Sequence, residues 1–548
     1  MVFFRRIGAA LLVNYLCLHS CFAQHIFING KVLGDQGRFA QAFVTQGDRF
    51  IYVGSNEGAL GYKNAKSELT DLNGKTVIPG LIDSHIHAIR AGLHFKHEMS
   101  LEGTKSIKEA LQKIHREARQ LLPNQWIIIA GGWSELQFKE KRKFTQHELQ
   151  SVARGHPFYV QLNYSSVLLS PDALVRLQLK NRLELLSSLT VETLDNGKAS
   201  GWLSGSSRAI SQLFDLLPQP TFLEQKKSSL VFFDELIKLG LTGVIDPGGY
   251  NLNLDAYRPI YEINQEKRLK LRVRFHICAP KSATELDDFK QIVQRPELTP
   301  NTPFLRFNGI GENVTWSMYN NETPSDEQKS QLKDVLSWAN KQSLSVTLHW
   351  NNDPSVHHLI EVLQKVDSEQ SIRSLRWSIA HLTDASDLSI NAMSQLGVGW
   401  LVQDGFFFTG SRFVKQHGLT HAQSVPKLNY ARDKGVTIGA GTDAHRVMSY
   451  NPFRSLQWLL DGKTVEGLEL GDPTERPTRL EAIDLYTKGS AWFSFEELER
   501  GQIKPGFLAD AVVLDHDFFS IPLNEISSIR PLMTLIGGKI AYKRGLYK

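Results

Sequence analysis

Short apolar runs alternate with amphipathic stretches along most of this chain. From Phe222 the order is regular. A helical period over 222–239 precedes the run Thr242-Gly243-Val244-Ile245-Asp246. Apolar runs of this length bounded by turn residues read as buried strands, and apolar spacings of three and four read as helices. Further strands are expected at 271–277, 304–310, 344–349, 376–381, 398–402 and 435–443, with helices at 283–294, 325–342, 354–366 and 385–396. With 77–85 as the first, the pattern predicts eight strands. Eight strands alternating with helices predict an α/β protein, a (β/α)8 TIM-like barrel. An open doubly wound sheet is the competing architecture. No glycine-rich nucleotide fingerprint follows the first strand, which counts against it.

Two regions break the alternation. Residues 100–220 carry helical periods at 106–122 and 171–189 and a strand-like Trp126-Ile127-Ile128-Ile129, and read as an insertion after the first barrel strand. The two ends share another texture, short strands between turns. Asn29-Gly30 follows Phe27-Ile28, and Gly537-Gly538 follows the run 532–536. Such dipeptides favour hairpins. We expect residues 25–75 and 490–548 to pair into one small β-sandwich, leaving 76–489 to the barrel.

Composition narrows the class. At 41% hydrophobic and 22% charged residues the chain is an ordinary globular protein, which excludes disorder, and 548 residues exceed a single simple core. Residues 1–24 stand apart: Arg5 and Arg6 precede an apolar run, and Cys21-Phe22-Ala23 offers a small-x-small cleavage site. This is the pattern of a signal peptide, with an uncleaved anchor as the competing reading. Export to the periplasm or out of the cell follows; Cys21 is a poor lipid-attachment site because His19 fits it badly. Loss of Arg5 and Arg6 takes the net charge from +5 to +3. With no basic stripe there is no case for nucleic acid, and none for a membrane beyond the leader. Of three cysteines, two lie in the leader, so Cys278 has no partner for an intrachain disulfide.

The chemistry gathers at strand ends. His85 and His87, two apart at the end of the first strand, point the same way. The fifth strand ends in His349, the sixth in His381 and the eighth in Gly441-Thr442-Asp443. Active sites of barrels lie at this rim. Four imidazoles and a carboxylate there predict a metal site, since neutral imidazole suits zinc and its neighbours.

On these residues, and on the run 501–510 with Lys504-Pro505-Gly506 and Ala509-Asp510, the chain resembles the amidohydrolase superfamily, in the branch that includes N-substituted formamide deformylase. The resemblance implies a metal-dependent hydrolase of non-peptide C–N bonds in a small amide, formamide or cyclic amide. It implies Zn2+ or another divalent metal, one or two ions, on His85, His87, His349, His381 and Asp443. Many relatives carry a bridging lysine at the end of the fourth strand. This chain has none there, and Glu312 is the candidate oxygen ligand in its place; Cys278 is a weaker candidate thiolate. A metal-held water has its pKa lowered to about 7 and attacks as hydroxide. Asp443 would shuttle its proton to the leaving nitrogen, His349 or His381 would stabilise the oxyanion, and Asp83 would orient an imidazole. Arg90, Gly131-Gly132-Trp133, Gln137, Arg142, His445 and Arg446 are the candidate substrate contacts, an aromatic wall with a basic corner. A homodimer is the expected assembly. The competing function is a catalytically silent barrel that binds a partner.

Overall fold

The computed structural model describes residues 24–249 and 252–545; the leader apart from Gln24 lies outside the described residues. Eight parallel strands form one sheet in strict chain order: Leu81–Asp83, Leu241–Asp246, Arg272–Ile277, Leu305–Ile310, Ser345–Trp350, Ser378–His381, Gly399–Gln403 and Ile438–Gly441. First and last strands meet where the Ser84 N–H donates to the Ala440 carbonyl at 3.1 Å and the Asp443 N–H to the His85 carbonyl at 2.7 Å. The sheet is therefore a nearly closed, TIM-like barrel. Both faces of each strand are covered, which is why the sequence shows continuous apolar runs rather than alternation.

The helices form the outer layer, and their starts are written in the sequence. Thr221 caps Phe222–Lys238 with Glu224 reaching back, and Ser325 caps Asp326–Lys341 with Gln328 doing the same. Phe232 and Leu236 of the first of these helices are fully buried, in one core with Leu241 and Val244 of the second barrel strand. No helix among the described residues is long and apolar enough to cross a membrane.

The expected first strand, 77–85, is two strands. Thr76–Pro79 pairs with Lys31–Leu33 and with Ala511–Leu514, and only Leu81–Asp83 enters the barrel. The break is Pro79-Gly80. Proline has no N–H to give a ladder, and a Cβ on Gly80 would lie 2.4 Å from the Thr242 side chain. Thr76–Pro79 thus joins both ends of the chain in a six-stranded sheet, beside a four-stranded sheet of Gln24–Ile28, Ala42–Gln46, Arg49–Gly54 and Glu68–Asp71. Phe27, Phe43 and Phe50 of the smaller sheet share one buried cluster with Val77, Val513, Met533 and Leu535 of the larger.

The chain just past 489 does different work. Phe493 packs under the barrel with Ile245, Ala380 and Leu401. Gly399 and Gly439, at the starts of the last two strands, make room for its ring; a Cβ there would come within 2.4 and 2.7 Å of it. Residues 100–220 hold their own five-stranded sheet, with Trp133, Phe138, Phe144 and Trp202 at its core. The helix expected over 171–189 is broken: Pro171–Arg176 and Leu183–Ser187 are separate helices, and Gln178 between them is left-handed at φ 49°.

Candidate metal centre

Each candidate ligand leaves the C-terminal end of a barrel strand, and the structure brings six of them together. Glu312 follows the fourth strand by two residues. Its Oε2 stands 2.9 Å from His349 Nδ1, 3.3 Å from His381 Nε2 and 3.5 Å from His85 Nε2, and its Oε1 stands 3.5 Å from His87 Nε2. One carboxylate therefore touches all four imidazoles. Opposite it, Asp443 Oδ1 lies 3.1 Å from His87 Nε2 and 3.7 Å from His85 Nε2, and Oδ2 lies 4.0 Å from His381 Nδ1.

The residues fit a cation. His85 is fully buried, and neither ring nitrogen has a hydrogen-bond partner. An orphaned buried imidazole is costly unless something else binds it. Two ligands each ~2.1 Å from one tetrahedral cation stand roughly 3.4 Å apart. The separations around His85, 3.5 Å to Glu312 and 3.7 Å to Asp443, are of this size, too long for good hydrogen bonds and right for neighbours on one metal. His85, His87 and Glu312 form one such group, His85, His381 and Asp443 a second, and Glu312, His349 and His381 a third.

The electrostatics agree. Burial, with the like charge of His381, pushes His85 down to about 3, so the neutral ring has one nitrogen lone pair to offer a cation. Burial also lowers His349. Burial opposes ionisation of both carboxylates, but the imidazoles around them more than offset it. Glu312 is held well below the carboxylate range, mainly by His349 and His381, and Asp443 is held near about 2 by His87, His381 and His85.

A second layer orients these groups. His87 Nδ1 meets the Gly248 carbonyl at 2.6 Å. That loop is held by Asp246, whose carboxylate accepts the Gly248 N–H at 2.9 Å and the Ile89 N–H at 2.8 Å. The expectation that Asp83 orients an imidazole is corrected: it accepts the backbone N–H of His85 at 3.0 Å and the Thr442 hydroxyl at 2.7 Å, so it locks the first strand to the eighth. Gln403 accepts the His381 N–H at 2.9 Å, and the Tyr319 hydroxyl lies 2.8 Å from His349 Nε2. Sequence reasoning missed Asp246, Gln403 and Tyr319. Asp246 and Gln403 end strands and were open to the same strand-end question as the histidines. Tyr319 sits in an irregular loop with no periodic signal.

Cys278 stands outside the three ligand groups. Burial pushes its thiol up to about 12, which keeps it protonated.

The expected substrate contacts mostly disperse. Arg90, half-buried on the helix Ala88–His94, stays beside the His87 loop, next to Gly249. Trp133 is no pocket wall: it is fully buried in the insertion and donates to the Gln161 carbonyl at 2.8 Å. Arg142 is an exposed partner of Glu148 at 2.7 Å, outside the cluster. Gln137 ties its turn to the segment 101–104, donating to the Leu101 carbonyl at 3.0 Å and the Thr104 carbonyl at 2.9 Å. His445 and Arg446 are paired with buried Glu98, at 2.6 Å and 3.5 Å. Burial works against the Glu98 charge, yet these two neighbours hold it below the carboxylate range. Gly131 and Gly132 serve this contact: the Gly132 N–H donates to the Arg446 carbonyl at 2.9 Å, and a Cβ on Gly131 would come within 1.8 Å of that oxygen. The basic corner is therefore a seam between insertion and barrel, which a reading along the chain had no means of pairing.

Comparison with known proteins agrees with this geometry. The sequence profile of the amidohydrolase family matches residues 68–542. The chain is 23% identical to N-substituted formamide deformylase of Arthrobacter pascens, over 94% of this chain and 97% of that protein. Its fold superposes on an uncharacterized metal-dependent hydrolase from Pyrococcus furiosus with a TM-score of 0.64 at 21% identity, covering 91% of this chain and 100% of that one. It superposes on a zinc-containing mutant of the atrazine chlorohydrolase of Arthrobacter aurescens with a TM-score of 0.56 at 13% identity, covering 95% of both chains. The chain belongs to the amidohydrolase family, a family of metal-dependent hydrolases.

Proposed function

We propose that this protein hydrolyses a non-peptide C–N bond in a small amide, formamide or cyclic amide, using one or two divalent cations, zinc first among them. The observation that carries the proposal is Glu312, whose single carboxylate stands against His85, His87, His349 and His381 at once. In this reading Glu312 takes the bridging place that a lysine holds in many relatives. The cation would sit among these five side chains and Asp443, where it supplies Lewis acidity and a water acidic enough to ionise near neutral pH.

The chain's own groups do the rest. Asp443 is ionised and touches three imidazoles, so it accepts a proton from the attacking water and returns it to the leaving nitrogen, which departs poorly as an anion. His381 donates to the developing oxyanion, with His349 fixed beside it between Glu312 and the Tyr319 hydroxyl. Asp83 and Asp246 keep the loops of His85 and His87 in place. The leader at residues 1–24 makes export part of the proposal, and a homodimer its assembly. The similarity to N-substituted formamide deformylase supports trying formamides first.

The test is a screen of formamides, linear amides and cyclic amides against zinc-loaded protein, alongside Asp443→Asn. We expect hydrolysis of at least one class and its loss in the variant. A protein that binds no metal and hydrolyses none of them would instead be a silent barrel.

A further inference from the structure

A cavity of about 450 Å³ lies where the insertion meets the barrel helices after the seventh and eighth strands, and shares no lining residue with the metal cluster. Its size is that of a small-molecule site. Phe407, Phe408 and Trp458 form aromatic walls. Between them stands Arg454, its guanidinium 4.9 Å from the Phe407 ring centre and without a hydrogen bond or ion pair among the described residues. Of the lining carboxylates, Glu102 and Asp461 stand near enough to Arg454 to favour its charge, but neither forms an ion pair with it among the described residues, and both have other partners. Glu102 accepts the Ser449 hydroxyl at 2.7 Å; Asp461 accepts the Gln457 amide at 3.1 Å and the Lys463 N–H at 2.9 Å. Trp458 is 5% exposed, and its indole N–H has no acceptor. Exposed Lys105, Lys139 and Lys463 ring the opening, none in an ion pair among the described residues.

We propose that this cavity is a second binding site, for a small organic carboxylate whose apolar body packs on Phe407 and Phe408 and whose carboxylate takes Arg454. An unpaired, half-buried guanidinium is costly, and a planar carboxylate satisfies two of its N–H groups at once. Burial lowers the Arg454 pKa, and an anion would offset that penalty. The neighbouring pocket, lined by Glu98, His445 and Ser449, holds only about 30 Å³. That is room for about one water. The cavity shares no residue with the metal cluster, so the carboxylate it holds would not lie on the cation.

The probe is 4-phenylbutyrate, titrated calorimetrically into the metal-loaded protein. Saturable binding at one per chain is expected. Its neutral amide, 4-phenylbutyramide, compared with the acid on chelator-stripped protein so that the amide is not hydrolysed, should bind roughly tenfold or more weaker, because the charge-assisted pair is lost. Arg454→Gln should weaken the acid by a similar factor without lowering the melting temperature, and stripping the metal with a chelator should leave binding intact. The proposal is overturned if there is no saturable binding, if acid and amide bind alike, or if Arg454→Gln binds as well as wild type. Loss of binding on metal removal would place the carboxylate at the metal cluster and also overturn it. The acid–amide comparison needs no variant, so it decides even where Arg454→Gln fails to fold. None of these readings depends on turnover.

Discussion

The two ends of the barrel handle buried charge in opposite ways. At the floor, three guanidiniums meet two carboxylates. Glu496 lies 2.7 Å from Arg274 and 3.1 Å from Arg500; Asp510 lies 3.1 Å from Arg272 and 3.3 Å from Arg500. Each acid there faces two cations. At the mouth, two carboxylates face four imidazoles, His85 has no hydrogen-bond partner for either ring nitrogen, and His381 and Asp443 sit at positive φ, 76° and 54°. Non-glycine residues rarely hold that conformation, and it persists where the surroundings demand it. The floor is complete as it stands and ties the chain past residue 489 to the strands above. The mouth, on the proposed reading, is completed by a cation. Stability and chemistry are thus divided between the two ends of the same strands.

The comparison breaks most sharply under Asp443→Asn. The amide keeps the size and loses the proton acceptor, so kcat/KM should fall by about 10²–10⁴. Urea unfolding should change little. If that variant unfolded as readily as a floor variant, the division would be wrong. The reciprocal change is Glu496→Gln. Removing one partner of a buried network leaves Arg274 without a carboxylate and Arg500 with Asp510 alone, and should cost about 3–5 kcal/mol in urea unfolding. Metal content per folded chain should not change.

Acid sharpens the same contrast. Burial opposes ionisation of Glu496 and Asp510, but their arginines hold both folded-state pKa values below the ordinary carboxylate range. A depressed carboxylate contributes stability that is present in full above its unfolded pKa and is lost as pH falls through its folded pKa. The floor should therefore hold at neutral pH and weaken progressively below about pH 4, the unfolded value. Glu496→Gln should flatten that decline, as measured by melting temperature against pH.

Smallest is Tyr319→Phe. It removes one hydroxyl from His349, so a several-fold loss in kcat is expected from a hydrogen bond of about 1 kcal/mol, with metal content unchanged. A loss as large as that of Asp443→Asn would give the phenol a larger part than this account assigns.

Much of this was legible before any coordinates. The eight strands sit within a few residues of the apolar runs, because a strand covered on both faces is written as an unbroken run. The ligands were legible as strand ends, because the fold itself gathers that rim. What the sequence hid was contact between distant segments. Trp133 and Arg142 looked like pocket residues, yet one is core and the other pairs with Glu148, and neither outcome leaves a mark in the local pattern. The split at Pro79-Gly80 was visible as a dipeptide, but its cause is Thr242, far along the chain. Phe493 under the barrel gave no periodic signal, since a plug contacts many strands through one ring.

The most direct test is metal content by mass spectrometry on purified wild type and Glu312→Ala, both loaded with zinc and desalted. The account expects one or two equivalents of zinc per chain in the wild type and a clear deficit in the variant, with the fold retained by circular dichroism. Wild-type protein without zinc, or a variant that keeps its full complement, would contradict it.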